Sequence, residues 1–246
     1  MAQERLQKLI ASSGQGSRRQ AESLLRLGQV RVNGRVASLG DQADPSVDQI
    51  TIAGQPLAAR PPWLTLLIHK PVGVLCTCFD PQGRPTVLDL LPPRWRQQAG
   101  LHPVGRLDAD SRGALLLSND GDLTLRLTHP RFGHRKTYRV WVEGHPSAET
   151  LQRWRAGVPL DGMDSAPVEV RWLRRTRQAT ELELIMAEGR NRQIRRTAER
   201  LGHPVRDLLR VAIGPVALGG LGEGQWRRLS PSDVDDRPCP SPASSP

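Results

Sequence analysis

The sequence is poor in aromatic residues, in cysteine and in long apolar runs, and the last two shortages each exclude a class of protein. Its 246 residues include three cysteines, which are too few for the disulfide framework of a small secreted domain. No run of about 18 apolar residues is present, so we expect no membrane-spanning helix. The N-terminus is polar and charged, unlike a secretory signal. Together with the low cysteine content, this predicts a cytoplasmic protein.

Metal-binding patterns are also missing from the sequence. Cys76 and Cys78 are two residues apart, which would place their side chains on one face of an extended strand. A zinc site needs further ligands at a suitable spacing, and the neighbouring sequence supplies none. We therefore interpret both cysteines as small buried side chains.

Positive charge, by contrast, is abundant. The chain carries 35 lysines and arginines against 25 acidic residues, which gives a formal net charge of +10, and most of the cations are arginines. A guanidinium group can donate two parallel hydrogen bonds to a phosphate, so an arginine-rich surface suits nucleic acid. Genomes rich in G and C also favour arginine, so net charge alone does not prove a partner. We favour nucleic acid because the arginines cluster on defined elements.

Residues 2–57 have the pattern of a small mixed domain. Apolar residues recur at helical spacing near the N-terminus, and a second helix is predicted to begin after Ser17, a favourable N-cap. Arg18 and Arg19 then fall in the first turn of that helix, where the helix dipole disfavours cations. Two cations at this position indicate selection for a phosphate ligand.

The same module resembles the S4 RNA-binding domain. The segments that carry the resemblance are Ser17-Arg18-Arg19-Gln20-Ala21-Glu22 and Val30-Arg31-Val32-Asn33-Gly34, and the second has the pattern of a strand followed by a tight turn. The resemblance implies that the module binds structured RNA. It therefore indicates where the protein binds, and not which reaction it catalyses. The candidate RNA-binding side chains in this module are Arg5, Lys8, Arg18, Arg19 and Arg31.

The rest of the chain has the pattern of a second, larger domain. Residues 58–63 are predicted to be a linker, residues 64–231 to form the larger domain, and residues 232–246, rich in Pro, Ser and Asp, to be disordered. Within the larger domain, residues 74–77 are predicted to form a strand and residues 87–91 a short helix. Most predicted strands alternate and few stand in βαβ order. We therefore predict an α+β fold with a mostly antiparallel central sheet.

Three separated blocks of the larger domain are candidates for its chemistry. They are Gly105-Arg106-Leu107-Asp108 with Asp110-Ser111 following, Lys136-Thr137-Tyr138, and Glu188-Gly189-Arg190-Asn191-Arg192-Gln193-Ile194-Arg195-Arg196. The first is a polar turn of the kind in which reactive side chains are commonly placed. The last is a dense arginine cluster near a helix start, for which Asn191 is the predicted N-cap. In this order the blocks resemble the pseudouridine synthase family, in the RsuA-type (RsuA/RluB-like) branch that adds an S4 domain.

The resemblance implies an enzyme that isomerises uridine to pseudouridine in ribosomal RNA by detaching the base from C1′, rotating it and rejoining it through carbon. This reaction needs a carboxylate near the sugar, which the resemblance assigns to Asp108. That carboxylate acts either as a nucleophile on C1′ or as a base that removes a sugar proton, and the sequence leaves both open. The resemblance implies no metal, nucleotide or redox cofactor, and the sequence contains no Walker loop or zinc signature.

The resemblance also assigns roles to residues around Asp108. Arg106 is expected at the extruded nucleotide, Tyr138 is expected to stack on the target uracil, and Arg195 is expected to be the basic partner of the aspartate. A guanidinium within ~4–6 Å would lower the pKa of the carboxyl group by roughly 1–3 units. Asp110 is the competing carboxylate, and we interpret it as a residue that hydrogen-bonds within the turn. The candidate phosphate contacts in this domain are Lys136, Arg190, Arg192 and Arg196.

Other functions fit parts of the pattern. One is a non-enzymatic RNA-binding factor in ribosome assembly, although an inactive protein has no chemical reason to keep Asp108, Tyr138 and Arg195. Another is a metal-dependent RNA hydrolase, which would need a further acidic or histidine ligand that the loop does not offer. The basic S4 module and residues 76–86 more closely resemble the large-subunit (RluB) group of this branch, and that resemblance implies large-subunit rather than small-subunit rRNA as the substrate. A monomer is the default expectation, with ribosomal RNA as its partner.

Overall fold

The N-terminal region packs two short helices against small strands. The structure is a computed structural model that describes residues 3–97 and 99–234. The elements of this region are β1 (Glu4–Arg5), α1 (Leu6–Ser12), α2 (Arg18–Arg26), β2 (Val30–Val32), β3 (Arg35–Val36), β4 (Gln42–Ala43), β5 (Ile50–Ile52) and β6 (Gln55–Pro56). Strands β3, β2, β5 and β6 form an antiparallel sheet in that order, and β1 pairs with β4. Helix α2 begins with the predicted N-cap, because Ser17 and Gln20 form a reciprocal capping box.

The larger region is built on one long sheet with helices packed against it. Its helices are α3 (Pro93–Arg96), α4 (Gly121–Thr128), α5 (Ala148–Ala156) and α6 (Gln193–Arg200), with 3-10 turns at Pro130–Phe132 and Pro231–Asp233. Its strands are β7 (Thr65–Lys70), β8 (His102–Val104), β9 (Arg112–Ser118), β10 (Lys136–Glu143), β11 (Pro159–Leu160), β12 (Met163–Asp164), β13 (Glu169–Arg175), β14 (Ala179–Met186), β15 (Val205–Ile213), β16 (Val216–Ala217) and β17 (Trp226–Arg228).

The strand order confirms the predicted α+β class. Within the described residues the long sheet has nine strands, in the order β13-β14-β10-β15-β9-β7-β17, with β16 beside β15 and β8 beside β9. The pairs are antiparallel except for β9 and β15, which run parallel with Gly113 opposite Arg210. Strand β9 begins directly after the Asp108 turn, so the centre of the sheet holds that turn.

The core explains why β9 reads as a continuous apolar run. Ala114 to Leu117 are fully buried, because both faces of this central strand are covered. Leu116 packs with the apolar residues of α4, whereas Leu115 and Leu117 pack on the other face of the sheet in a cluster that includes Val87. A third cluster joins β10 and β14 to α5 and α6 and contains Tyr138.

Two local predictions between β7 and β8 are wrong. Residues 74–77 do not form a strand, and Leu75 makes only an isolated bridge with Thr86. Residues 87–91 form turns rather than a helix, since the Asp89 carboxylate accepts hydrogen bonds from the backbone N–H and the hydroxyl of Thr86. The helix of this stretch is α3, which starts with a proline.

The end of the described chain differs from the prediction in three residues. The predicted disordered tail begins at residue 232, but residues 232 and 233 belong to a 3-10 turn and Val234 is buried. Residues 235–246 lie outside the described residues.

The predicted domain boundaries at residues 57 and 64 stay a prediction. Across them, the ammonium of Lys8 lies 3.0 Å from the Asp122 carboxylate of α4. Among the described residues, no helix has both the length and the apolarity to cross a membrane.

Candidate active site

A cavity of about 620 Å³ opens where four segments of the larger region meet. One wall consists of residues 75–84, a second is the turn at residues 105–111, and a third is residues 189–195 at the start of α6. Tyr138 of β10 lines it from the sheet, together with Met186 and Leu208. The cavity therefore brings together all three sequence blocks that were singled out, in the volume range that small-molecule ligands occupy.

The turn that carries Asp108 is anchored from below by Lys70. The Lys70 side chain is fully buried, and its ammonium donates hydrogen bonds of 2.7 Å to the Ser111 carbonyl and 2.8 Å to the Pro71 carbonyl. Burial lowers the pKa of Lys70, while the thiol of Cys76 and the carboxylates of Asp110 and Asp108 act in the opposite direction. Sequence reasoning missed this role, because a lysine at a turn is usually solvated.

A cysteine holds the other side of the same turn. The Sγ atom of Cys76 accepts a hydrogen bond from the backbone N–H of Leu107 at 3.2 Å. Burial raises the pKa of this thiol, so the group there is a neutral acceptor. With the backbone fixed on both sides, the side chain of Asp108 lies in the cavity with 34% of its surface exposed.

Tyr138 lies deep in the cavity. Only 7% of its surface is exposed, and it packs in the same cluster as Leu107, Met186 and Ile194. Its ring is positioned by the alternation of β10, which places Tyr138, Val140 and Val142 on one buried face. A planar base that entered the cavity could contact the part of this ring that remains open.

The arginine cluster contacts the carboxylates in a different pairing from the predicted one. The predicted partner of Asp108 is Arg195, but among the described residues the ion pair of Asp108 is with Arg192, at 3.7 Å. Arg195 instead donates to the Asp110 carbonyl at 2.6 Å and to the Ser111 hydroxyl at 3.2 Å, and its Nε lies 3.4 Å from the Asp110 carboxylate. Both arginines therefore hold the turn that carries Asp108.

The start of α6 explains this exchange of partners. The predicted N-cap Asn191 is wrong, because the N-cap position is occupied by Arg192, whose backbone is left-handed with φ of 48°. The Gln193 side chain fixes the bend by accepting from the backbone N–H of Arg190 and donating to the Glu188 carboxylate. The bend places the Arg192 guanidinium over the turn at residues 105–111.

Asp110 is the anion that both arginines share. Arg192 donates two hydrogen bonds to its carboxylate, at 3.1 and 2.8 Å. These hydrogen bonds, and then the nearby charges of Arg195 and Arg192, lower the pKa of Asp110 below its ordinary value. The predicted hydrogen bond of Asp110 within the turn is minor by comparison, since the Ser111 hydroxyl lies 3.4 Å from the Asp110 carboxylate.

We expect Asp110→Asn to lower the free energy of unfolding at pH 7 by less than about 1 kcal/mol, because the ion pair is half exposed. A lowered pKa stabilises the fold fully above the ordinary value of 3.8, and the effect disappears as pH falls through the lowered pKa. The difference in free energy of unfolding between wild type and variant, measured in urea, should therefore shrink from about pH 5 to about pH 2, which is roughly the range in which carboxylates titrate. A difference that grows on acidification would contradict this role of Asp110.

Comparison with known proteins identifies the family to which the chain belongs. A family profile described as "RNA pseudouridylate synthase" matches residues 65–200, and an S4 domain profile matches residues 4–48. The chain belongs to the RNA pseudouridylate synthase family. The resemblance stated from the sequence is thus confirmed for both regions.

Individual relatives extend over nearly the whole chain of this pseudouridylate synthase. A Bacillus subtilis protein named "Ribosomal large subunit pseudouridine synthase B" is 39% identical over 237 residues, which covers 94% of each chain. A Pseudomonas aeruginosa protein of the same name is 38% identical over 241 residues, covering 94% of this chain and 61% of the relative. A crystal structure described as a pseudouridylate synthase superposes with a TM-score of 0.66 at 29% identity, covering 94% of this chain and 97% of the other.

Two arginines of the cluster are engaged in hydrogen bonds within the protein. Arg190 donates to the Glu188 carboxylate at 2.6 Å and to the Asp164 carbonyl at 2.8 Å. Arg196 pairs with Asp161, with one hydrogen bond of 2.9 Å. Both therefore fasten the hairpin of β11 and β12 to α6 in this synthase. Their predicted contacts with RNA phosphates remain a prediction.

Two lysines predicted to bind RNA are similarly engaged. Lys8 is hydrogen-bonded to Glu4 and Asp122, which raises its pKa. Lys136 is half buried beside two backbone carbonyls, and burial lowers its pKa. The arginines predicted to contact RNA in the S4 module are exposed, and they are Arg5, Arg18, Arg19 and Arg31.

Arg210 is a buried residue of the site that sequence reasoning did not single out. It is 3% exposed and lies opposite Tyr138 in the pairing of β10 with β15. Its guanidinium donates to the Ala114 carbonyl at 2.7 Å and to the Arg106 carbonyl at 3.3 Å. The only available signal was an arginine inside the otherwise apolar stretch of residues 208–213. Arg106 itself is exposed at the cavity.

Among the described residues, no group of three or more His, Cys, Asp or Glu side chains could hold a metal ion.

Proposed function

We propose that this chain isomerises a uridine of large-subunit ribosomal RNA to pseudouridine, with Asp108 as the catalytic carboxylate. The observation that supports this most strongly is the position of Asp108 in the cavity that Tyr138 also lines, with the Arg192 guanidinium 3.7 Å from the Asp108 carboxylate. Family membership supplies the reaction, and the names of the relatives from two bacteria favour the large subunit.

The chemistry asks three things of the protein. The bond between N1 and C1′ must break, the detached uracil must rotate, and a new bond must form between C5 and C1′ with loss of the C5 hydrogen. Asp108 acts as a carboxylate, either attacking C1′ or removing a sugar proton, and the Arg192 guanidinium lies 3.7 Å from it. Tyr138 supports the uracil while it turns.

The nucleotide must also be removed from its helix before it can reach Asp108. Extrusion of a base has an energetic cost of a few kcal/mol, which contacts in the cavity have to offset. Arg106 is exposed at the cavity and belongs to the same turn as Asp108, so it is placed to contact the extruded nucleotide or the gap that it leaves. The exposed arginines of the S4 module supply further contacts to phosphates at a distance from the reaction.

A direct test uses rRNA transcripts whose uridines carry tritium at C5. Because the C5 hydrogen is lost in the reaction, the purified protein should release tritium from large-subunit transcript, at a level near one uridine per molecule. Small-subunit transcript should release none. Release should persist in EDTA, since a carboxylate suffices for the chemistry, whereas the alternative of a metal-dependent hydrolase predicts cleaved RNA and loss of activity in EDTA.

Two results would overturn parts of the proposal. Release from the small-subunit transcript alone would move the substrate to the other ribosomal subunit and leave the reaction intact. Binding of rRNA without any release, under conditions in which a related synthase is active, would favour the non-catalytic assembly factor.

A further inference from the structure

An exposed aromatic ring stands at the edge of the cavity and has no part in the chemistry described so far. Phe79 lines the cavity in the wall formed by residues 75–84, and 76% of its surface is exposed. The chain has only two phenylalanines. The other, Phe132, is 40% exposed and lies under the Arg131 guanidinium, 4.4 Å from the ring centre. Within residues 3–97 and 99–234, the ring of Phe79 has no comparable aromatic or cationic neighbour.

The loop that carries Phe79 is braced by its own side chains. The Asp80 carboxylate accepts hydrogen bonds from the Arg84 guanidinium at 2.7 and 3.1 Å, and from the backbone N–H groups of Gln82 and Arg84. The hydroxyl of Thr77 donates to the Phe79 carbonyl at 2.8 Å. The hydrogen bonds from Arg84 lower the pKa of Asp80 to about 2, so this brace is intact at neutral pH. The backbone of the loop that carries the ring is thus braced before any ligand arrives, which reduces the ordering that binding would require.

The surroundings of Phe79 indicate which ligand would cover it. Arg84 and Arg106 line the same cavity, so a ligand that reaches this edge meets cations as well as an apolar ring. An RNA strand combines phosphates with flat bases, and it has to pass this edge if one of its nucleotides is to reach Asp108. Tyr138 is deep and only 7% exposed, whereas Phe79 is at the mouth, so the two rings cannot serve the same base.

We propose that Phe79 is a stacking platform for an unpaired RNA base that flanks the target uridine. Extrusion of the target removes a stacking neighbour from the adjoining base, and an aromatic ring at the mouth of the cavity replaces that neighbour. This inference rests on the proposed function, since it requires RNA to be the substrate. Phe79 is a positioning residue: it binds RNA and leaves the reaction at Asp108 unchanged.

The test compares three variants of Phe79 with one control. Phe79→Ala removes the ring, Phe79→Leu keeps an apolar side chain without a π-face, and Phe79→Trp keeps stacking. Phe132→Ala removes the other phenylalanine and serves as the matched control. The RNA is a fragment of the large-subunit transcript in which 2-aminopurine replaces either the base before or the base after the target uridine. The measured quantities are Kd, 2-aminopurine fluorescence and the single-turnover rate at saturating RNA.

We expect Phe79→Ala and Phe79→Leu to raise Kd about 10-fold, which is within the range for loss of one base–aromatic stack. The single-turnover rate at saturation should stay within about twofold of wild type, because Asp108 is untouched. Quenching of 2-aminopurine by the wild-type protein should be lost in both variants and kept in Phe79→Trp. Phe132→Ala should behave as wild type.

Each other outcome has a definite meaning. A wild-type Kd for both the alanine and the leucine variants would overturn the proposal. A leucine variant that binds RNA as tightly as wild type, while the alanine variant does not, would also overturn it, because leucine has no π-face. If the alanine variant melts at a lower temperature, the leucine and tryptophan variants decide between the outcomes. A wild-type protein that binds the fragment and forms no pseudouridine refutes the proposed function, whereas the fluorescence experiment still reports on stacking.

Discussion

Asp108→Asn should abolish uridine isomerisation, with a fall in rate of at least about 10⁴-fold, as for loss of a residue that reacts directly with substrate. An amide has the shape of the carboxylate and lacks its charge, so it can neither attack C1′ nor accept a sugar proton. The fold should persist because the turn is held through its backbone by Lys70 and Cys76. Tritium release from labelled rRNA measures the rate, and filter binding should give a Kd close to that of wild type.

Asp110→Asn is the matched control for this experiment, since it removes the neighbouring carboxylate of the same turn. Asp110 binds Arg192 and Arg195, so its loss should loosen the arginines and slow the reaction far less, by about 10- to 100-fold for a residue that positions others. An Asp108→Asn enzyme that turns over while Asp110→Asn is dead would show that the catalytic carboxylate has been assigned to the wrong residue.

Gly113→Ala should lower the free energy of unfolding by about 3 kcal/mol or more, although it adds only one methyl group. Gly113 has φ of +116°, which a residue with a Cβ rarely adopts. A Cβ there would lie 2.3 Å from the carbonyl oxygen and 2.6 Å from the backbone nitrogen of Arg210, and neither atom can swing away. The parallel pairing of β9 with β15 has to separate, and the turn that carries Asp108 moves with it.

Gly121→Ala is the control for this variant. Gly121 is the first residue of α4, and a Cβ added to it has no atom within 4 Å. Alanine is the better helix former, so this variant should be as stable as wild type or slightly more stable. Urea unfolding at neutral pH compares the two variants, and equal stability of both would mean that β9 and β15 do not approach each other as closely as described.

The sequence was sufficient to predict the enzyme family and three of the segments that line the cavity. The segments that carry Asp108, Tyr138 and Arg195 lie far apart along the chain, and each was recognisable because its own pattern is specific. The α+β class followed from alternating strands, and the start of α2 followed from the capping signal at Ser17. These features are encoded locally, by spacing and by the types of neighbouring residues.

The wrong predictions concern the conformation of short segments and the pairing of side chains that lie far apart in the sequence. Arg192, rather than Arg195, pairs with Asp108, because one left-handed residue at the start of α6 redirects its side chain. Residues 87–91 look helical by spacing, yet the Asp89 carboxylate closes a turn there instead. Neither conformation leaves a distinctive mark in the local sequence.

The sequence by itself determined which reactive groups the protein possesses: two aspartates in a polar turn, one tyrosine, and a cluster of arginines beside a helix. Only the tertiary structure decided how they are held, with Lys70 buried beneath the turn, Arg210 crossing to the Arg106 carbonyl, and Phe79 standing at the mouth of the cavity. The physical reason is that burial and hydrogen bonding depend on which segments of the chain meet, and residues 70, 106 and 210 meet only once β7, β9 and β15 have formed one sheet.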